Sequence, residues 1–238
     1  MNNKQSSGHN RLSRGIFAAL PAEDWRSSDG LPAPITVERK STLFTEGESA
    51  SHVYLVLSGL IKTFKNPSHD RVQIINIVSD GDVMGAEALS RDFYQESATT
   101  LTRAQVYRLS KEFFLDFINR KPQLALKLIE MMNHEFARVQ SLIVNLGTKK
   151  ALPRVASCLL LFMEKQNAGP PGPPVTVASL DPFTLPISRQ DMGAFLGLSP
   201  ETVSRQLKGL VRAKVIRLDH KRLTVLNLDQ LKSIAEAH

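Results

Sequence analysis

The side chains best suited to chemistry lie on one face of a short segment near the C-terminus. This segment, 200–212, reads P-E-T-V-S-R-Q-L-K-G-L-V-R. Apolar residues at helical spacing predict its buried side: Val203, Leu207, Leu210 and Val211. The opposite side carries hydroxyls, a carboxylate and cations: Glu201, Thr202, Ser204, Arg205 and Lys208. A helix with such a face either contacts nucleic acid or is simply solvated.

A second short helix is predicted just before this segment. Ser188 suits its N-cap, and Asp191 three residues later can complete a capping box. Its apolar side consists of Met192, Phe195 and Leu196. Gly197 can take the left-handed conformation that ends a helix, and Ser199-Pro200 is a favourable start for the next one. Helix, glycine turn and helix are typical of a DNA-binding helix-turn-helix, although a plain helical hairpin has the same pattern.

The sequence around these helices favours DNA binding. V-I-R-L, the turn D-H-K and R-L-T-V-L-N-L predict a β-hairpin wing, followed by a short helix over 229–235. From Phe183 to the end there are nine basic and five acidic residues, a net charge of +4 within a chain of +7. This excess of positive charge near a helix-turn-helix suits an anionic partner.

The first half of the chain predicts an antiparallel β-roll. Four β-rich runs, V-Y-L-V-L, L-I-K-T-F-K, V-Q-I-I-N-I-V and A-Q-V-Y-R-L, alternate with turns marked by Gly47, Gly59, Gly81 and Gly85. The expected core consists of Phe44, Val53, Leu55, Leu57, Ile61, Ile74, Ile77, Val83, Val106 and Leu109.

Helices are predicted after the roll. Ser110 should cap a short helix, and Pro122 should open a long one that reaches about 146 and breaks at Gly147. Apolar residues recur along the long helix near a three-four spacing: Leu128, Met132, Val139, Leu142 and Leu146. They form either a dimer seam or the face that packs on the roll. A further helix over 150–165, with Pro153 in its first turn, precedes the loop N-A-G-P-P-G-P-P.

Composition excludes several classes of protein. The single cysteine, Cys158, excludes disulfides, cysteine-cluster zinc sites and cysteine-bound iron–sulfur clusters within one chain, and its apolar surroundings predict a buried thiol. No apolar run approaches the ~20 residues of a membrane span, and the polar N-terminus has no signal core, so we expect a cytoplasmic protein with no membrane partner. No catalytic residues, metal motif or phosphate loop are found, so an enzyme is not expected.

The order of roll, long helix and winged helix-turn-helix resembles the Crp/Fnr family of bacterial transcription regulators over about 35–230. The motifs are T-L-F-x-E-G-E (42–48), Y-L-V-L-S-G (54–59), G-D-V-M-G (81–85) and, most specifically, I-S-R-Q-D-M-G-x-x-L-G-L-S-P-E-T-V-S-R (187–205). The resemblance implies an α+β fold in four parts. These are a flexible tail (1–15), a cyclic-nucleotide-binding-like jelly roll (16–121), a dimerisation helix (122–147) and a winged helix-turn-helix domain (148–238).

The resemblance also implies which residues contact DNA. By family position, Glu201, Ser204 and Arg205 reach base edges, whereas phosphate contacts fall to Arg189, Thr202 and Lys208. E-x-x-S-R is similar to the Fnr-like branch, which reads TTGAT-type half-sites. Pro200 stands where Crp-like members carry another base-reading arginine. We therefore expect a homodimer on a palindromic TTGAT-like site, with RNA polymerase as a further partner.

The roll departs from members that bind cyclic nucleotides, which resemble G-E-x-x-L followed by R-S/T-A. The corresponding residues form a degenerate effector pocket: Gly85, Glu87, Glu96 and Ser97. Glu96 stands where the family's arginine pairs with phosphate, and its charge would repel cAMP or cGMP. We expect no high-affinity cyclic nucleotide. The alternative, a cyclic-nucleotide-like sensing module with a non-transcriptional output, is disfavoured by Glu96 and by the intact helix-turn-helix.

No cofactor is expected from the resemblance. The N-terminal tail lacks the cysteine cluster of oxygen-sensing Fnr-like members, which excludes their iron–sulfur cluster. Haem is left open only as an alternative, because the six histidines show no paired spacing and read better as surface or packing residues.

Overall fold

The computed structural model describes residues 15–19, 31–68, 71–166 and 182–237. Most of the predicted tail and the Pro/Gly loop from 167 to 174 lie outside these residues. The chain divides into two compact units, Met1–Ala137 and Arg138–His238. A short 3-10 helix, Gly15–Ala19, buries Ile16 and Phe17 in the first unit.

The first unit is built on two four-stranded antiparallel sheets. One has the order β1 (Ile35–Val37), β8 (Ala104–Ser110), β3 (His52–Ser58), β6 (Val83–Met84). The other has the order β2 (Thr42–Phe44), β7 (Ser97–Thr100), β4 (Ile61–Ser68), β5 (Arg71–Val78). A 3-10 turn, Ala86–Leu89, follows β6. The predicted roll is therefore present.

One hydrophobic core takes side chains from both sheets. Strand β8 buries Ala104, Val106 and Leu109 and exposes Gln105 and Arg108, and its register aligns Val56 with Val106. All the core residues predicted from the sequence are buried except Leu57 and Val83, which are partly buried against the same cluster. The periodicity of the sequence thus identified the core.

An aromatic cluster closes the roll near the effector region. Phe44 stacks on Tyr94 with ring centroids 4.2 Å apart and lies 5.4 Å from the ring of Tyr54. The Tyr94 hydroxyl donates to the His52 carbonyl at 2.7 Å, and burial raises the pKa of Tyr94 to about 12. The cluster ties the loop before β7 to strands β2 and β3.

Two helices follow the roll. Helix α1 (Lys111–Arg120) is capped as predicted, because the Ser110 hydroxyl accepts from the Phe113 amide, and it buries Phe114 and Phe117. Helix α2 (Gln123–Thr148) begins in the first unit and ends in the second. The predicted break at Gly147 is wrong, since the helix continues through it to Thr148. A single helical glycine costs only about 1 kcal/mol and need not end a helix.

The faces of α2 differ from the prediction. Leu128 packs against the core of the roll, and Leu124 is buried in it. Val139 and Leu142 are half-buried, and the side chain of Leu146 lies outside the described residues. A neighbouring face is exposed and apolar, with Leu126, Ile129, Met132 and Phe136. Of the predicted seam, only Met132 lies on this exposed face, because the helix turns Leu128 towards its own roll.

The second unit is a small helical domain with a three-stranded sheet. Helix α3 (Ala151–Gln166) has Pro153 in its first turn and buries Cys158. This burial raises the pKa of the Cys158 thiol to about 12. Helices α4 (Arg189–Leu196) and α5 (Pro200–Arg212) follow. Strands β9 (Phe183–Thr184), β10 (Ile216–Asp219) and β11 (Arg222–Val225) precede helix α6 (Leu228–Glu236). The predicted wing is β10–β11. Strand β9 was not predicted, because two residues show no periodicity.

Phe44→Ala should lower the free energy of unfolding by about 3–5 kcal/mol, because it removes a buried ring that packs on Tyr94 and Tyr54 and leaves a cavity. Phe93→Ala is the matched control. Phe93 is 56% exposed, so its loss should change stability by less than about 0.5 kcal/mol. Urea unfolding of the full chain, followed by circular dichroism, measures both. Equal effects of the two substitutions would contradict this assignment of the core.

Candidate nucleic-acid interface

Helix α4 begins with a reciprocal cap. The Ser188 hydroxyl accepts from the Asp191 amide at 2.9 Å and donates to the Asp191 carboxylate at 2.7 Å. The Asp191 carboxylate therefore bonds back to the capping residue through its hydroxyl. Met192, Phe195 and Leu196 are buried, as predicted. The cap fixes where α4 starts and so which side faces the core.

The turn between α4 and α5 is a close backbone approach. Gly197 adopts the left-handed conformation (φ 64°), and the amides of Gly197 and Leu198 both donate to the Gly193 carbonyl. A Cβ on Gly193 would lie 2.5 Å from the Leu198 carbonyl oxygen. Gly193 is thus as necessary as Gly197. Gly193 stands in the motif over 187–205 but was not predicted as a turn residue, although its place four residues before the turn glycine was a usable signal.

Helix α5 separates an apolar side from a polar one. The Ser199 hydroxyl accepts from the Thr202 amide at 3.2 Å, and Val203, Leu207 and Leu210 are buried. Val211 was predicted to join this buried side and does not, since it is 39% exposed. Each step along a helix turns by about 100°, which carries the residue after Leu210 to the rim of the packed face.

The outer side of α5 forms a shallow surface depression. It is lined by Pro200, Glu201, Ser204, Arg205, Lys208 and Arg212. The structure thus brings together the three predicted base-reading residues and Lys208. Arg212 was missed in the sequence analysis, although its spacing of seven from Arg205 places it on the same stripe. Three cations and one carboxylate give this face a net positive charge.

A chain of hydrogen bonds supports Arg205. The Ser199 hydroxyl donates to the Thr202 hydroxyl at 3.1 Å, and Arg205 Nη2 donates to that same oxygen at 3.3 Å. The guanidinium is therefore restrained at the N-terminal end of α5 while its side chain stays exposed. Thr202 is half-buried and supports Arg205 through this hydrogen bond, in addition to its predicted contact with a DNA phosphate.

Other basic residues of the second unit lie outside α5. Arg189, the first residue of α4, is half-buried, and burial lowers the pKa of its guanidinium. The wing exposes Arg217, Lys221 and Arg222, and its turn passes through His220 with φ at 52°. The unit therefore offers guanidinium and ammonium groups on both sides of α5 along the sequence.

The degenerate effector pocket is acidic. Burial is the main cause that raises the pKa of Glu96 to about 7. The Thr63 hydroxyl opposes this rise more strongly than either carboxylate adds to it, and repulsion from Glu87 and Glu135 raises the pKa further against the attraction of Lys65. Glu135 on α2 accepts a hydrogen bond from Asn76 Nδ2 at 3.0 Å. The structure brings Glu87 and Glu96 into one electrostatic cluster, which is a poor environment for a phosphate.

The other two pocket residues have structural roles. Gly85 has φ at 68°, and a Cβ there would lie 3.1 Å from the Tyr94 ring, so it turns the chain against the aromatic cluster. Ser97 is buried, and its hydroxyl accepts from the Glu46 amide at 2.9 Å. Within the described ranges, no group of three or more His, Cys, Asp and Glu side chains could hold a metal ion. None of the helices in those ranges is long and apolar enough to cross a membrane.

Comparison with known proteins accounts for both units. The cyclic nucleotide-binding domain matches residues 34–121, and the Crp-like helix-turn-helix domain matches residues 153–234. The transcriptional activatory protein AadR of Rhodopseudomonas palustris is 32% identical, with 93% of this chain and 89% of that protein covered. The chain belongs to the Crp/Fnr family. This Crp/Fnr protein is also 30% identical to the nitrogen fixation regulation protein FixK of Azorhizobium caulinodans, with 93% and 86% covered.

A solved structure supports the fold of this Crp/Fnr protein. FixK2 from Bradyrhizobium japonicum superposes with a TM-score of 0.73 at 28% identity, covering 87% of this chain and 98% of that one. The α+β prediction of a cyclic-nucleotide-binding-like roll, helices and a winged helix-turn-helix is confirmed. These relatives are transcription regulators and not enzymes, and this chain is a DNA-binding regulator of the same type.

Gly193→Ala should destabilise the second unit by about 1–3 kcal/mol, because the new methyl group must displace backbone at Leu198. Gly209→Ala is the matched control. A Cβ on Gly209 has nothing within 4 Å, and alanine favours a helix over glycine by about 1 kcal/mol. Thermal unfolding of the full chain should therefore shift down for the first variant and not for the second. A Gly193 variant as stable as the parent would refute the close approach.

Proposed function

We propose that this Crp/Fnr regulator binds DNA as a homodimer on a two-fold symmetric TTGAT-like site and reads it with α5. The observation that carries the proposal is the surface depression that Glu201, Ser204 and Arg205 line together near the N-terminal end of α5. We assign the roll to 16–121, the dimerisation helix to 122–147 and the DNA-binding domain to 148–238.

The chemistry of this face suits the edges of bases in the major groove. Arg205 can donate two hydrogen bonds to guanine O6 and N7, and Glu201 can accept from cytosine N4. Ser204 can donate or accept, so it serves either base. The hydrogen bond from Arg205 to Thr202 reduces the freedom that the guanidinium loses on binding.

Phosphate contacts fall to the residues that flank the base-reading ones. Lys208 and Arg212 continue the exposed stripe towards the C-terminal end of α5. Arg189 and Thr202 lie at the N-terminal ends of their helices, where backbone amides also favour anions. Such contacts set the register of the protein on DNA but carry no sequence information.

The exposed apolar face of α2 supports the proposed dimer. Ile129, Phe136 and Ile143 are spaced by seven residues, and each is more than half exposed. Leu126 and Met132 flank them. A heptad stripe of this kind suits pairing with a second copy of the same helix. The proposed seam therefore replaces Leu128 with Ile129 and Phe136, and keeps Met132 from the original prediction.

The wider setting follows from this assignment. We infer that the protein acts in the cytoplasm, where bacterial DNA is found, and that RNA polymerase is a partner. The acidic cluster around Glu96 supports a roll that binds no cyclic nucleotide with high affinity. We propose no haem or other cofactor for this protein.

Phe136→Glu should convert the dimer to a monomer, because the seam would have to bury two carboxylates without partners. His134→Glu is the matched control, since the His134 side chain is 80% exposed on another face of the same helix. Sedimentation equilibrium at micromolar protein should show the first variant monomeric and the second dimeric. A Phe136 variant that stays dimeric would exclude this seam.

Arg205→Ala should weaken binding to a TTGAT-N4-ATCAA duplex by about 1–3 kcal/mol per half-site, measured by fluorescence anisotropy. A second duplex, TTAAT-N4-ATTAA, replaces the guanine that Arg205 is proposed to read. The parent protein should discriminate between the two duplexes, and the variant should not. If the variant binds the first duplex as tightly as the parent does, Arg205 does not read a base.

A further inference from the structure

Arg154 connects two backbone segments of the second unit that are distant in sequence. It is the fourth residue of α3. Its Nε donates to the Lys149 carbonyl at 2.9 Å, in the linker between α2 and α3, and its Nη1 donates to the Leu196 carbonyl at 3.2 Å. One planar guanidinium thus bonds the linker and α4 together. Neither contact was evident from the sequence.

The contact with Leu196 is at a sensitive position. Leu196 is the last residue of α4, and the last carbonyls of a helix have no partner inside it. A cation at this end is also favoured by the helix dipole. Gly197 follows immediately and turns the chain into α5. Arg154 therefore bonds the linker to Leu196, the residue just before the turn that sets the direction of α5.

The same linker is held on its other side. Lys149 Nζ donates to the Ala235 carbonyl at 2.6 Å, near the end of α6, and the Ser157 hydroxyl reaches the same carbonyl at 3.4 Å. The linker is thus bonded to the C-terminal ends of two helices, α4 and α6, by two charged side chains. Hydrogen bonds to charged groups are stronger and more directional than apolar contacts.

Apolar packing is interrupted beside this junction. A cavity of about 150 Å³ lies between the end of α2, α3 and α4. Its apolar walls include Leu142, Leu161 and Phe195. Close packing normally fixes the angle between helices, and a cavity removes those contacts. The hydrogen bonds of Arg154 therefore contribute more to fixing the direction of α4 than they would if side chains filled this cavity.

We propose that Arg154 is a positioning residue for DNA recognition, which sets the direction of α4 and α5 relative to the C-terminal end of α2. The inference rests on the proposed dimer. If α2 pairs with its copy, this angle determines the distance between the two recognition helices, and so the spacer length between half-sites that the dimer prefers. Loss of the Arg154 contacts should relax that preference without removing a contact to DNA.

The experiment compares the full-length parent with Arg154→Gln, Arg154→Lys and Lys150→Gln. Lys150 is an exposed neighbour, so its substitution removes the same charge and leaves the hydrogen bonds of Arg154 to the Lys149 and Leu196 carbonyls in place. Fluorescence anisotropy measures binding to TTGAT half-sites with three, four or five base pairs between them, over a range of salt. One base pair changes the separation by about 3.4 Å and the rotation by about 35°. Stoichiometric titration gives the active fraction of each variant.

The parent and Lys150→Gln should prefer one spacer by about tenfold or more. Arg154→Gln should reduce this ratio to about threefold or less, with an unchanged slope of affinity against salt. Arg154→Lys should fall between them, because an ammonium cannot span two carbonyls as a guanidinium fork does. If the glutamine variant folds poorly, the lysine variant still tests the inference.

Two results would overturn the inference. One is an Arg154→Gln protein with the full spacer preference of the parent. The other is an equal loss on all three duplexes with a salt slope reduced by about one, which would make Arg154 a phosphate contact. A parent protein that binds no spacer variant above background contradicts the proposed function instead, so the two failures are distinguishable.

Discussion

The interface depends on one close backbone approach. The Leu198 carbonyl sits where a side chain on residue 193 would be, and Gly197 turns the chain with positive φ. This tight turn lets α4 and α5 bury their apolar sides against the same small core. Only then does the polar side of α5 face outward, with Arg205 braced by Thr202. The charged and polar side chains of α5 share one outward side because this steric constraint directs them.

The two units differ in how closely they follow the Crp/Fnr family pattern. The second unit keeps the caps, turn and cations that a DNA reader needs. The roll has the sheets of a cyclic nucleotide-binding domain, but its Glu96, Glu87 and Glu135 form an acidic cluster that is a poor environment for a phosphate. Burial and repulsion from neighbouring carboxylates raise the pKa of Glu96 to about 7. The fold of a nucleotide-binding domain is thus maintained by packing, independently of the chemistry of its pocket.

Helix α2 shows how one helix can serve two purposes. Leu124 and Leu128 complete the core of the roll, whereas Ile129 and Phe136 remain exposed on an adjacent face. The roll covers only one of these two apolar sides of α2, and the other side is left in contact with solvent. A second copy of the chain is the occupant that the heptad spacing favours. The polar link from Asn76 to Glu135 also ties the helix to strand β5.

The sequence by itself determined the elements whose signals are local. Strand alternation, the caps at Ser110, Ser188 and Ser199 and the αL glycine at 197 all act within a few residues, so the roll, the wing and the recognition helix could be predicted. The tertiary structure decided what depends on neighbours distant in the chain. It turned Leu128 towards the roll, exposed Val211, carried α2 through Gly147 and joined Arg154 to Leu196, because burial and long-range hydrogen bonds are fixed only when separate segments pack together.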